Sequence, residues 1–141
     1  MTGGRVFRKT VPVRFEDCDP AGIGFYPRML MMVNRLVEDF FAEALDCPWP
    51  AMHGRQRRGV PTVRLEVDFR GPLFQGDALD LELRVRKVGT KAFTVAVAGS
   101  VAGSEKFAVV QVLAYASTGP DVRGLPLPEA LAEGLRRYAE H

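Results

Sequence analysis

One short stretch concentrates the reactive side chains of this chain. Asp17-Cys18-Asp19-Pro20-Ala21-Gly22-Ile23-Gly24 sets two carboxylates and a thiol in a turn. An aspartate before proline starts a turn as readily as it serves as a base, so by residue type alone both roles stand open for Asp19. Cys18 is a candidate nucleophile, but no histidine accompanies it, and it reads better as a small buried filler. The only histidines are His53 and His141, and neither shares the turn. A Ser-His-Asp arrangement would have to use His53, and no Gly-x-Ser-x-Gly elbow carries its serine. There is no Walker loop, and Gly22-Ile23-Gly24 lacks the third glycine of a dinucleotide fingerprint. Cys18 and Cys47 lack CxxC spacing, and no close His/Cys/acid set suits zinc. Neither a metal nor a cofactor is expected.

The elements around this turn follow from hydrophobic periodicity. Before it, Val11, Val13 and Phe15 alternate with polar residues over Lys9 to Phe15, and Pro12 places that strand at an edge. After it, Leu30, Val33, Leu36, Val37, Phe40, Phe41 and Leu45 recur at three- and four-residue steps. That spacing predicts a helix over Pro27 to Leu45, with Pro27 in the first turn, where a missing N–H costs nothing. Asp46 to Gly59 reads as a polar loop. Four strand-like runs follow: Val63 to Phe69, Leu79 to Val85, Phe93 to Val97, and Phe107 to Ala116, the last apolar enough for burial on both faces. Glycine-containing turns separate them, and a short helix over Pro128 to Glu140 closes the chain. The expected class is α+β, with four antiparallel strands in a meander against one long helix.

Composition fits one domain over residues 1–141. Hydrophobic residues make up 47% and charged residues 26%, and the formal charge is 19 − 17 = +2. That surplus is too small to argue for nucleic acid. No run approaches the ~20 apolar residues of a membrane helix. Residues 1–9 lack an apolar signal region, so a cytoplasmic location is expected.

The run Phe15-Glu16-Asp17-Cys18-Asp19-Pro20-Ala21-Gly22-Ile23-Gly24-Phe25-Tyr26-Pro27 resembles the signature of the 4-hydroxybenzoyl-CoA thioesterase family. The resemblance extends from about Val11 to Ala116, through Trp49, Gly59-Val60-Pro61-Thr62, Phe69 and Lys91-Ala92-Phe93. It implies the hotdog fold, a long central helix wrapped by a curved antiparallel sheet, and an acyl-CoA thioesterase. It makes Asp19 the catalytic carboxylate, with Asp17 in a structural or solvated role, and the N–H of Tyr26 the oxyanion donor. Gly22, Ile23, Gly24 and Phe25 would border the reacting thioester, with the glycines letting the backbone approach the substrate. Trp49 and Thr62 would line the acyl pocket. Basic residues at a strand end, Arg86, Lys87 and Lys91, would meet the coenzyme A phosphates. Asn34 stands fifteen residues after Asp19, where aromatic-hydrolysing members carry an acid. An amide can still hydrogen-bond a phenol, but it is no charged acceptor. Acyl-CoA hydrolysis is thus the firmer expectation than 4-hydroxybenzoyl-CoA in particular.

Alternatives to hydrolysis are a hotdog protein that binds an acyl thioester without cleaving it, a dehydratase-like member, or a sheet-forming subunit of a larger complex. A dehydratase would want a histidine at the site, and His53 lies in the wrong element. Assembly into a homodimer, and further into a homotetramer, is expected, because one helix cannot cover both faces and both edges of such a sheet. Arg57 to Asp68 and Phe107 to Ala116 are the strands offered for pairing with a second copy, and Asp46 to Gly59 would add to the neighbour's pocket. Acyl-coenzyme A is the expected partner, with no nucleic acid and no membrane.

Overall fold

A computed structural model describes residues 4–139; Glu140 and His141 lie outside them. The first strand, β1 (Phe7–Pro12), leads through a single 3-10 turn (Phe15–Asp17) into the loop before the long helix α1 (Tyr26–Glu43). Strand β1 starts earlier than the alternation suggests and stops at Pro12, so Phe15 is 79% exposed rather than on the face of Val11 and Val13. Proline has no N–H to continue the ladder. Along α1, Met29, Met32, Val33, Leu36, Val37, Phe40 and Phe41 are buried at the predicted spacing. Met29 and Met32 are therefore core residues, while Met31 stays exposed.

The expected loop after α1 contains a short helix, α2 (Trp49–Gly54), begun by Pro48 and Pro50 and anchored by the buried Met52. Then come β2 (Arg58–Gly59), β3 (Thr62–Phe69), β4 (Ala78–Val88), β5 (Ala92–Val101), β6 (Ser104–Ala114), β7 (Ala116–Ser117) and α3 (Glu129–Arg136). The main sheet has the antiparallel order β1-β4-β5-β6-β3, and β2 pairs with β7 separately. This is the helix-and-sheet arrangement that the resemblance implies, with one correction to the sequence reading. Only β4, β5 and β6 form a meander. The segment Arg70 to Asp77, too long for a tight hairpin, carries the chain from β3 across the sheet, so β3 pairs with β6 at the far edge. Strand β6 therefore has neighbours on both sides, β5 and β3, and cannot pair with a second copy.

The inner face of the sheet meets α1. Leu79, Leu81, Leu83 and Val85 of β4, Phe93, Val95 and Val97 of β5, and Phe107, Val109 and Leu113 of β6 are all buried there. Truncating one such leucine to alanine costs about 2–5 kcal/mol. The opposite face of β6 is only half-buried, so the strand is not enclosed on both sides as its composition suggests. Gly99 pairs with Phe107, and a β-carbon on Gly99 would overlap the ring of Phe107. The edge strand β3 differs from the others: Val63 (61%), Leu65 (43%) and Phe69 (53%) are exposed, although they alternate as the core strands do.

Candidate active site

The loop between β1 and α1 is tied together by its own backbone. Cys18 bridges Gly24, Asp19 N–H donates to the Ile23 carbonyl at 2.9 Å, and Gly22 N–H donates to the Asp19 carbonyl at 2.9 Å. The two glycines serve different needs in the fold. Gly22 takes φ +83°, a region open to glycine and strained for other residues, with free space where a β-carbon would stand. Gly24 donates its N–H to the Leu73 carbonyl at 2.8 Å, and a β-carbon there would press on Leu73 at 3.1 Å. The loop is thereby docked on the segment that precedes β4.

The two aspartates of this loop have opposite surroundings. Asp17 is 7% exposed. Its Oδ2 accepts the Arg14 N–H at 2.9 Å, its Oδ1 lies 3.7 Å from Arg28 Nε, and its carbonyl accepts the Phe25 N–H at 2.8 Å. This is the structural role expected of it. Asp19 is half-buried, and only its Oδ1 is engaged, by the N–H groups of Ala21 at 2.9 Å and Ile23 at 3.4 Å. Among the described residues Oδ2 takes no hydrogen bond, and Asp19 borders a depression with Phe15, Cys18, Pro20, Gly22 and Gln75. Cys18 places its Sγ 3.6 Å from the Arg14 carbonyl.

Phe25 caps α1 in extended conformation without a side-chain bond, and Tyr26 opens the helix. The first N–H groups of a helix have no intrahelical acceptor and carry the positive end of its dipole. Among the described residues Tyr26, at the end of the loop that holds Asp19, has an N–H with no acceptor. Its ring packs edge-on against Phe25 (5.9 Å) and Phe69 (6.2 Å), and all three rings are about half exposed. An apolar strip thus runs from the edge strand β3 to the start of α1.

The other predicted residues fall into two groups away from this loop. Asn34 lies eight residues beyond Tyr26, about 12 Å along the helix, and faces a cavity of about 360 Å³ shared with Trp49 and Thr62. Trp49 stacks on His53 (centroids 6.2 Å, 20°) and meets Phe41 edge-on at 6.0 Å. His53, Val60, Ser117 and Val122 also line it, and of these the sequence reading passed over Ser117 and Val122, which no periodic signal marks. Arg86, Lys87 and Lys91 are exposed at the β4–β5 end of the sheet, where a bulge follows Val85. The site loop is docked at the opposite end of β4, through Ile23 on Phe74 and Gly76 on Val13. Eleven strand residues at ~3.3 Å each separate the two ends by about 36 Å. The site loop and this basic group thus lie at opposite ends of β4.

Burial, with Asp46 adding to it, pushes the Cys47 thiol above its ordinary value. Burial likewise pushes Tyr115 up, against the opposing pull of Arg58. Neither group belongs to the site loop.

Comparison with known proteins places this geometry. The sequence profile described as the thioesterase-like superfamily matches residues 13–135. A 1,4-dihydroxy-2-naphthoyl-CoA hydrolase of Trichodesmium erythraeum is 31% identical over 83 residues, 59% of each chain. The enzyme of the same name from Thermosynechococcus vestitus is 24% identical over 136 residues, covering 96% of this chain and 91% of that one. Among solved structures, the 4-hydroxybenzoyl CoA thioesterase from Pseudomonas sp. strain CBS-3 superposes with a TM-score of 0.82 at 22% identity, over 93% of this chain and 99% of that one.

Proposed function

We propose that this chain, a member of the thioesterase-like superfamily and a thioester hydrolase, acts on coenzyme A esters, and that Asp19 is the carboxylate that starts the hydrolysis. The observation that carries this is the division of labour on its two oxygens. Oδ1 is held by two N–H groups of its own turn, Oδ2 takes no hydrogen bond among the described residues, and the residue borders the adjoining depression. A thioester needs no more elaborate site. Its leaving thiol resembles a cysteine, with a pKa of about 8.5, and departs as thiolate without a strong acid. The carboxylate attacks the carbonyl carbon directly or takes a proton from the attacking water. In either case negative charge grows on the carbonyl oxygen, and the free Tyr26 N–H at the helix start meets it. Ile23, Phe25 and the two glycines frame this position.

The rest of the substrate calls for a second copy of the chain. Strand β3 is an open edge with Val63, Leu65 and Phe69 facing solvent. Pairing it antiparallel with its two-fold mate sets the Phe69 end of one strand against the Thr62 end of the other. The Asp19 loop of one protomer then adjoins the partner's cavity end. There the acyl group enters between Asn34, Trp49 and Thr62, and the phosphates meet Arg86, Lys87 and Lys91. Further pairing through the outer sheet face, where Ala96, Ala98, Ala108 and Val110 are half-buried, gives a homotetramer. An aromatic acyl group suits the ring-lined cavity and is the kind named for the relatives above. The free thiols Cys18 and Cys47 suit a cytoplasmic protein; no helix among the described residues is long and apolar enough to cross a membrane. Thiol release from a panel of acyl- and aroyl-CoA esters, with Asp19→Asn alongside, tests the reading. Release that survives the substitution would remove Asp19 from the chemistry.

A further inference from the structure

A second cavity, of about 230 Å³, lies between β1 and α1, on the side of the helix turned away from the acyl cavity. Its floor is apolar: Met32, Leu36 and Leu81 are buried beneath it, and Val11 adds a wall. At ~100° per residue, Met32 and Asp39 stand roughly 140–160° around α1 from Asn34, which faces the other cavity. Strand β1 is also the opposite edge of the sheet from β3, so pairing through β3 leaves this cavity open. The charged groups around its rim cancel in number but not in pairing. Lys9 takes two acids, Glu43 at 2.7 Å and Asp39 at 3.8 Å, and Arg28 takes two more, Glu16 at 3.1 Å and Asp17 at 3.7 Å. Arg14 and Arg35, both exposed and both on the cavity, are left with no carboxylate partner among the described residues.

This combination defines the ligand that fits. A guanidinium offers a fork of N–H donors that matches a carboxylate, and the floor offers burial to an apolar body. A single negative charge is accommodated where acids and cations are equal in number. The multiple charge of a phosphate group would also face Glu16 and Asp39. The volume falls below the ~300–1,000 Å³ of sites that enclose drug-sized ligands, so coenzyme A itself is too large. Resting on the reading of the chain as an acyl-CoA hydrolase, we infer that the cavity between β1 and α1 is a second binding site. It takes a small apolar carboxylic acid, the class of product that hydrolysis releases, with Arg14 and Arg35 as its anchors.

The probe is benzoate, titrated into the whole chain by calorimetry. Trp49 is the single tryptophan and lines the other cavity, so its fluorescence follows that cavity alone. Calorimetry should show benzoate binding to which the fluorescence does not respond. Arg14→Gln combined with Arg35→Gln should weaken that binding by about tenfold or more, as for lost hydrogen bonds between charged groups. The double variant should leave the fluorescence response and the initial rate of thiol release unaltered. Acetate has the charge without the apolar body, and benzyl alcohol has the body without the charge. Each should bind at this site at least about tenfold more weakly than benzoate. Phenyl phosphate binding more tightly than benzoate would overturn the choice of a carboxylate. Calorimetric binding that the double variant leaves unchanged, or none beyond what Trp49 follows, would overturn the site. These titrations need no turnover: if no coenzyme A ester releases thiol, the hydrolase reading falls, and calorimetry still decides the second site.

Discussion

The loop before α1 and the edge strand β3 lie within one aromatic contact of each other, Tyr26 on Phe69, and they are built on opposite plans. In the loop, backbone N–H groups meet carbonyls of the same loop or of the Leu73 segment, Asp17 is enclosed, and one carboxylate oxygen is left over. Along β3, the ladder to β6 runs down one side with one register shift after Thr62, while the other side and the side chains of Val63, Leu65 and Phe69 face solvent. The loop is finished within one chain; the strand is finished only by something that covers it. On the proposed reading, reactive groups are set by local geometry, and the envelope that holds the substrate is set by assembly.

The sharpest way to break this contrast is at the loop. Asp19→Asn should keep the fold and lower turnover by at least ~10²-fold, the scale of losing a positioned base or nucleophile. Asp17→Asn should cost far less turnover and instead lower stability by about 1–2 kcal/mol, through its bonds to Arg14 and Arg28. Steady-state rates and thermal melts of the two variants, measured together, would reverse the assignment if the losses were exchanged.

A smaller loss is expected at the strand. Leu65→Asp combined with Phe69→Asp should turn dimers into monomers and reduce activity by about tenfold or more at low protein concentration, with the circular dichroism spectrum retained. Sedimentation alongside the assay decides it, since a fully active monomer would show that the envelope needs no partner. Lys87→Ala or Lys91→Ala should raise KM for coenzyme A esters by about fivefold at most, as for an exposed charge pair. The effect should be weaker for pantetheine-truncated esters and should fade with salt. Equal effects on both substrate forms would remove these lysines from the phosphates.

The smallest effect separates two thiols, Cys18 in the loop and Cys47 two residues before Trp49. Burial, then Asp46, raises the Cys47 thiol above its ordinary value, so the fold favours its protonated form. The stability this lends is present below the ordinary thiol range and declines as pH rises through it. At pH 8 iodoacetamide should label Cys47 more slowly in the folded protein than in urea, because only the thiolate reacts. Identical rates would mean that Cys47 is open to solvent in the native protein.

The loop and α1 were legible because their signals are local: Asp-Pro, two glycines, and a helical stripe whose shared part runs from Val33 to Phe41. Strand pairing was less so. Val63 to Phe69 and Leu79 to Val85 carry the same alternation, yet one lies at an edge with its apolar side chains exposed and the other is buried beside β1 and β5. Alternation reports a pleated strand; it does not report which neighbour covers it. The crossover of Arg70 to Asp77 decided that, and it is a long-range choice. Gln111 is the one strongly polar residue in a run read as nearly continuous and apolar. Its partner, the hydroxyl of Thr62 forty-nine residues earlier, comes only from pairing across the sheet.

The glycine beneath Phe107 imposes an order on how this sequence can change. No side chain fits at position 99 while the ring stands over it, so replacing Gly99 first meets a clash inside the sheet. Shrinking Phe107 first leaves a void, which costs about 3–5 kcal/mol for a buried phenylalanine cut to alanine but opens room for a later alanine or valine at 99. The two positions are thus coupled in sequence space.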